Sequence, residues 1–182
     1  MNSKNPPINP VFEVMASHLA DVTVELFAAY DVPVERSPAS AGPGSVVNEP
    51  SAVASIGYAG EQVRGVLIML ATESAIAAWM KAMGAAEGEL ADTLGEFSNM
   101  LLGRLKGRLL GEGFPVMLAT PTTASGNALR LSVPPAQSTW QVFEGPGWQV
   151  STRLDATFDT GFMLQETEER EKPVEAGEGF LF

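Results

Sequence analysis

The sequence predicts an α/β domain of the α+β type, in which a largely antiparallel sheet packs helices 9–30, 73–84 and 90–110 against one face. Three observations carry this expectation. Residues 9–30 and 90–110 repeat apolar side chains at three and four spacing, the period of a helix with one buried stripe. Two regions, residues 53–71 and 139–158, hold pairs of β-rich segments separated by short turns. Within the second region, residues 148–158 alternate apolar and polar, as a strand with one face buried does.

The elements follow in order. Asn9 caps the first helix and Pro10 occupies its first turn, ahead of the stripe Phe12, Met15, Leu19, Val22 and Leu26. His18, Asp21 and Glu25 share its outer face and read as solvated. Residues 31–44, with Pro33, Pro38 and Pro43, read as a loop with a short strand at 32–34. Residues 53–58 and 63–71 flank Ala59, Gly60 and Glu61 as a hairpin, and the second strand, apolar nearly throughout, is expected in the centre of the sheet. Thr72 then caps a short helix whose Ile76, Trp79, Met80 and Met83 form a core stripe. The helix at 90–110 is the longest and stops at residues 111–113, where glycines stand at both ends. Strands are expected at 115–119, 128–133, 139–143 and 147–158, with a proline-glycine turn at 144–147 joining the last two. In the last strand Trp148, Val150, Thr152, Leu154, Ala156 and Phe158 should face the core, and Gln149, Ser151, Arg153 and Asp155 the solvent.

Composition narrows the function. The 182 residues, 45% of them hydrophobic, suit one domain with a sizeable core. With 22 acidic against 11 basic side chains, the net charge of -11 provides no cationic footprint for phosphate backbones, so nucleic acid is not an expected partner. The absence of cysteine and the single His18 remove disulfides, thiolate metal sites, histidine-rich metal sites and a cysteine nucleophile. The longest apolar run, residues 66–71, is far short of the roughly 20 residues of a membrane span. Residues 1–10 are polar and proline-rich, without the apolar region of a signal peptide, so no membrane association and a cytoplasmic location are expected. The chain divides into an extension at 1–8, a domain at 9–165 and an acidic tail at 166–182. The tail has six acids against two bases, too little apolar surface to offset its ordering entropy.

The long helix carries the candidate chemistry. Leu90, Leu94, Phe97, Leu101 and Leu105 fall on one side of it, and Asp92, Glu96, Asn99 and Gly103 form a polar ridge on the other. A carboxylate and a carboxamide therefore project side by side. Gly95, Gly103 and Gly107 each cost roughly 1 kcal/mol relative to alanine in a helix interior, which points to a need other than helicity. Either an approaching partner or close helix packing would meet that need.

Asp92-Thr-Leu-Gly-Glu96-Phe-Ser-Asn99-Met-Leu-Leu-Gly103, followed by Pro121, resembles the active-site signature of the CheC/CheX/FliY family of chemotaxis phosphatases. That signature is an acidic residue or serine, three residues, Glu, two residues, Asn, and a Pro some way beyond. Here 21 residues separate Asn99 from Pro121, one fewer than the commonest spacing. The similarity covers residues 9–165 and takes in the first helix, the first hairpin and the closing strand pair. It implies that Glu96 engages the lysine of a phosphorylated CheY-like response regulator, while Asn99 orients a water for attack on its aspartyl phosphate. Asp92, Gly103 and Pro121 would support the site or touch the partner. The Mg²⁺ would belong to the response regulator, with no cofactor held by this chain. CheC-like members repeat the motif on the first helix, whereas Glu13 here is followed by Ala16 in place of Asn, so one site per chain is expected, as in CheX. A non-catalytic module that docks a receiver is the alternative, and a flagellar-switch component is less favoured. The resemblance also implies a homodimer. Strand edges at 53–58 and 139–143, free of blocking lysine or proline, are a physical ground for one.

Overall fold

The computed structural model of the chain describes residues 8–38, 49–84, 90–127, 129 and 137–159. The acidic tail, all of the extension but Ile8, and all of the predicted strand 128–133 except Leu129 lie outside them.

Helix α1 (Pro10–Ala28) begins as expected: the Asn9 side chain accepts a hydrogen bond from the Val11 N–H at 2.9 Å. The Asn9 N–H donates to Gln137 Oε1 at 2.9 Å, which ties the helix start to the sheet. Strand β1 (Glu35–Ser37) starts three residues later than predicted. Val32 and Val34 are buried in the core, the Val32 N–H closes onto the Phe27 carbonyl at the helix end, and Pro33 between them has no N–H to offer. The ladder therefore opens only at Glu35, opposite Glu144.

Strands β2 (Ser51–Ala59) and β3 (Val63–Thr72) form the expected hairpin. Thr72 Oγ1 accepts from the Ala75 N–H at 3.1 Å and caps α2 (Glu73–Ala82). After α3 (Leu90–Gly111) come β4 (Met117–Leu118), β5 (Thr122–Gly126), β6 (Gln137–Gly145) and β7 (Trp148–Phe158). The sheet runs β1-β6-β7-β3-β2-β4, with β5 also on β2, and every pairing is antiparallel. β3 lies between β2 and β7, where its apolar run is covered. β5 was not legible in the sequence, because Thr-Thr-Ala-Ser-Gly has neither large apolar residues nor alternation.

Two expectations are corrected here. Residues 150–156 of β7 are buried on both faces, so alternation marks which side chains meet the helices and not which meet water. Arg153 and Asp155 are placed away from the helices as an ion pair at 2.8 Å, with the Ser138 hydroxyl 3.1 Å from Arg153 Nε and the guanidinium 5.5 Å from the Trp140 ring centre. Residues 53–58 are also no free edge: β5 pairs with β2 over Ser51–Ser55, and β4 pairs with it at Tyr58 and Ala59. Among the described residues, β6 is covered by β1 only from Val142 to Glu144.

The helices pack on one side of the sheet, against Ala52, Ala54, Ile56, Leu67, Met69 and Leu154. At the centre sit four rings from four elements. Phe27 of α1 lies 5.3 Å from Trp79 of α2, 5.4 Å from Phe97 of α3 and 5.7 Å from Trp148 of β7, and Trp79 lies 5.5 Å from Phe97. Such pairs add about 0.5–1.5 kcal/mol each beyond the area they bury. Trp79→Ala is expected to lower the unfolding free energy by about 3–5 kcal/mol in denaturant titration. A loss under about 1 kcal/mol would mean that this cluster does not hold the helices together.

Candidate functional site

Leu94, Phe97, Ser98, Leu101, Leu102, Leu105 and Leu109 turn the inner face of α3 into the core. Asp92, Glu96, Asn99 and Gly103 are all exposed, so the structure places the predicted ridge together on the outer face. Two contacts pin α3 beside α1: Arg108 Nη2 to Glu25 Oε1 at 2.6 Å, and the Tyr30 hydroxyl to Met100 Sδ at 3.2 Å. His18 Nε2 also stands 3.8 Å from Glu112 Oε1. His18 and Glu25 are thus not merely solvated, as the sequence suggested, but face the end of α3; Asp21 is exposed. These cross-helix pairs had no signal in the sequence, since Glu25 and Arg108 are 83 positions apart.

The glycines of α3 separate into two kinds. A Cβ at Gly95 would stand 2.9 Å from Thr123 Cγ2, so this glycine lets α3 approach β5 closely. A Cβ at Gly103 or Gly107 would meet nothing within 4 Å. Among the described residues, close packing therefore accounts for Gly95 and not for the other two, which stand exposed on the outer surface of the helix. Pro121, half-buried, directly precedes β5 and lies two residues from the Thr123 contact. It borders the element on which α3 rests.

The Glu96 carboxylate and the Asn99 carboxamide stand on the exposed face of α3. Among the described residues no three His, Cys, Asp or Glu side chains gather to hold a metal ion. A cavity of about 600 Å³, lined by Gly57, Arg64, Val66, Met117 and Thr157 among others, shares no residue with the ridge. Near it the Tyr58 hydroxyl donates to the Asp155 carbonyl at 2.8 Å, and burial, helped by the Asp155 charge, pushes its pKa well above the ordinary tyrosine value.

The family model described as chemotaxis phosphatase CheX matches residues 52–144, which include α3 and Pro121. The chain belongs to the CheX family. Among solved structures, this CheX-family chain is similar to a CheC-like superfamily protein from Shewanella sp. PV-4 (19% identity, TM-score 0.66, covering 79% of this chain and 97% of that one). It is also similar to the chemotaxis protein CheX from Vibrio vulnificus (19%, 0.63, 79% and 96%). A third likeness is to the CheX–CheY–BeF3–Mg²⁺ complex from Borrelia burgdorferi (16%, 0.59, 80% and 96%). At these identities the likeness is one of fold. No curated protein sequence matches the chain. Among the described residues no helix is long and apolar enough to cross a membrane.

Because the ridge side chains carry no packing, Glu96→Ala and Asn99→Ala should each change the unfolding free energy by no more than about 0.5 kcal/mol. Thermal denaturation checks this, and a larger loss would show that the ridge is structural.

Proposed function

We propose that this CheX-family chain is a protein-aspartyl-phosphate phosphatase acting in the cytoplasm on a phosphorylated CheY-like response regulator. The observation that carries the reading is the pair Glu96 and Asn99, exposed one helical turn apart on α3 in the order and spacing of the family's motif. A convex, solvent-facing pair suits a macromolecular substrate that brings its own cleft. The named partnership of CheX with CheY in the Borrelia burgdorferi structure supports that choice of substrate.

Phosphoryl transfer passes through a loose transition state, so the catalyst has mainly to position the nucleophile and stabilise charge. In the proposed complex the Asn99 carboxamide hydrogen-bonds a water and holds it in line with the bond from phosphorus to the aspartyl oxygen. The water oxygen bonds to phosphorus, the aspartyl carboxylate leaves with the electron pair of the broken bond, and inorganic phosphate is released. Glu96 forms a charge-assisted contact with the receiver's lysine and fixes the docking register. Mg²⁺ on the receiver neutralises the phosphoryl oxygens, and this chain supplies none. Asp92, Gly103 and Pro121 line the approach, with Gly103 leaving room for the partner's surface.

In a dephosphorylation assay on a phosphorylated receiver with Mg²⁺, Asn99→Ala should lower the assisted rate by about 100-fold or more while receiver binding persists. Glu96→Ala should weaken binding by about 1.5–3 kcal/mol. Full activity in the Asn99 variant would refute the mechanism. Binding by the wild type without any turnover would instead select the docking-module reading.

We also propose a homodimer that leaves the ridge uncovered. The supporting feature is β6, where Ser138 to Gln141 carry no neighbouring strand on their outer side among the described residues. Pairing two such edges across a two-fold axis would satisfy their backbone groups. Light scattering at micromolar concentration should give a dimer mass that strengthens with salt as the charge of -11 is screened. A monomer that persists at high salt would refute it.

A further inference from the structure

Gly95 is buried inside α3, directly before Glu96 and one turn ahead of Asn99. Glycine is unfavourable at such a position, and the space a side chain would need is already taken: its Cβ would lie 2.9 Å from Thr123 Cγ2, closer than real Cβ atoms approach a neighbour. Thr123 is poorly able to yield. It is β-branched and stiff about χ1, and its backbone is registered against Ala54 of β2. This contact joins the two halves of the proposed site, since Thr123 follows Pro121 by two residues and Gly95 stands at an i, i+4 spacing from Asn99.

We infer that Gly95 is a positioning residue: by carrying no side chain it lets α3 seat on Thr123, and that seating sets the offset of Glu96 and Asn99 from the Pro121 turn. The inference rests on the phosphatase reading, because only a partner that meets both elements at once would register the offset. Because Thr123 yields poorly, a methyl group at residue 95 lifts α3 away from β5 and displaces the carboxamide that holds the water from its place relative to the receiver. Displacements near 1 Å cost about 100-fold in a reaction that depends on positioning. The same methyl gains helix propensity and loses a comparable or somewhat larger amount in overpacking, so the variant should stay folded while kcat falls, which a purely packing role would not produce.

The test compares four full-length proteins: wild type, Gly95→Ala, Thr123→Ser, which removes the obstructing methyl and keeps the hydroxyl, and the double variant. The phosphorylated CheY-like receiver with Mg²⁺ is the substrate, and kcat, KM and thermal midpoint are read for each. Gly95→Ala should lose about 10-fold or more in kcat/KM, mainly in kcat, at an assay temperature well below its thermal midpoint, where it is fully folded. Thr123→Ser should resemble the wild type, and the double variant should recover to within about threefold of it. Full activity in Gly95→Ala, or a double variant no better than Gly95→Ala, would overturn the inference while leaving the phosphatase reading intact. A wild type without turnover would overturn both. Should Gly95→Ala fold poorly, Thr123→Ile, which adds bulk from the strand side of the same contact, must show the same loss of kcat, and an unchanged kcat there would overturn the inference.

Discussion

The packing of Phe97 against Phe27 and Trp79 is the constraint from which the rest of the site follows. Phe97 lies between Glu96 and Asn99 in sequence, so fixing its ring in the core fixes the rotation of α3 at the point where the two polar side chains leave it. Trp148 of β7 and Tyr30 at the end of α1 extend the cluster, at 5.6 Å from Trp79 and 5.3 Å from Phe97. The three helices thus meet one another, and α1 and α2 meet the sheet, through ring contacts. A helix held this way cannot roll by a fraction of a turn without breaking several contacts, because close-packed interiors do not deform continuously.

The same anchoring suits the proposed use of so bare a surface. Glu96 and Asn99 lie on a helix whose inner face is committed to the core, so their directions are settled before any partner arrives. Pre-organisation of that kind lowers the entropy lost on docking. Arg108 on Glu25 and Thr123 beneath Gly95 complete the frame on either side, one locking α3 to α1 and the other seating it on the strand that Pro121 precedes. The exposed backbone at Gly103 and Gly107 keeps the approach open.

Much of this was legible in the sequence because it is written in local periods. The stripe of α3 and its ridge follow from three and four spacing, and Asn9 and Thr72 announce their helices by capping chemistry that involves near neighbours alone. The hairpin of β2 and β3 is equally local. What escaped reading depends on distant pairing. β5 is a strand because β2 offers it an edge, not because Thr-Thr-Ala-Ser-Gly prefers one. Arg153 and Asp155 read as solvent-facing because each is charged, but across from Trp140 and Ser138 they pair with each other in a buried setting. The first strand was displaced for a mixed reason: Pro33 was visible, while the demand of the core for Val32 and Val34 was not. Within the site, the ridge and Pro121 could be named from the motif, whereas the contact that joins them, Gly95 on Thr123, required coordinates.

The central claim is that a phosphorylated receiver docks on the outer face of α3, and backbone amide chemical-shift mapping tests it most directly. The isotopically labelled chain would be titrated with a phosphorylated CheY-like receiver in Mg²⁺. The expected perturbations cluster at Asp92, Glu96, Asn99 and Gly103 and at the residues around Pro121, with the groove lined by Gly57, Val66 and Met117 unchanged. Perturbations confined to that groove, with α3 silent at saturating receiver, would contradict it.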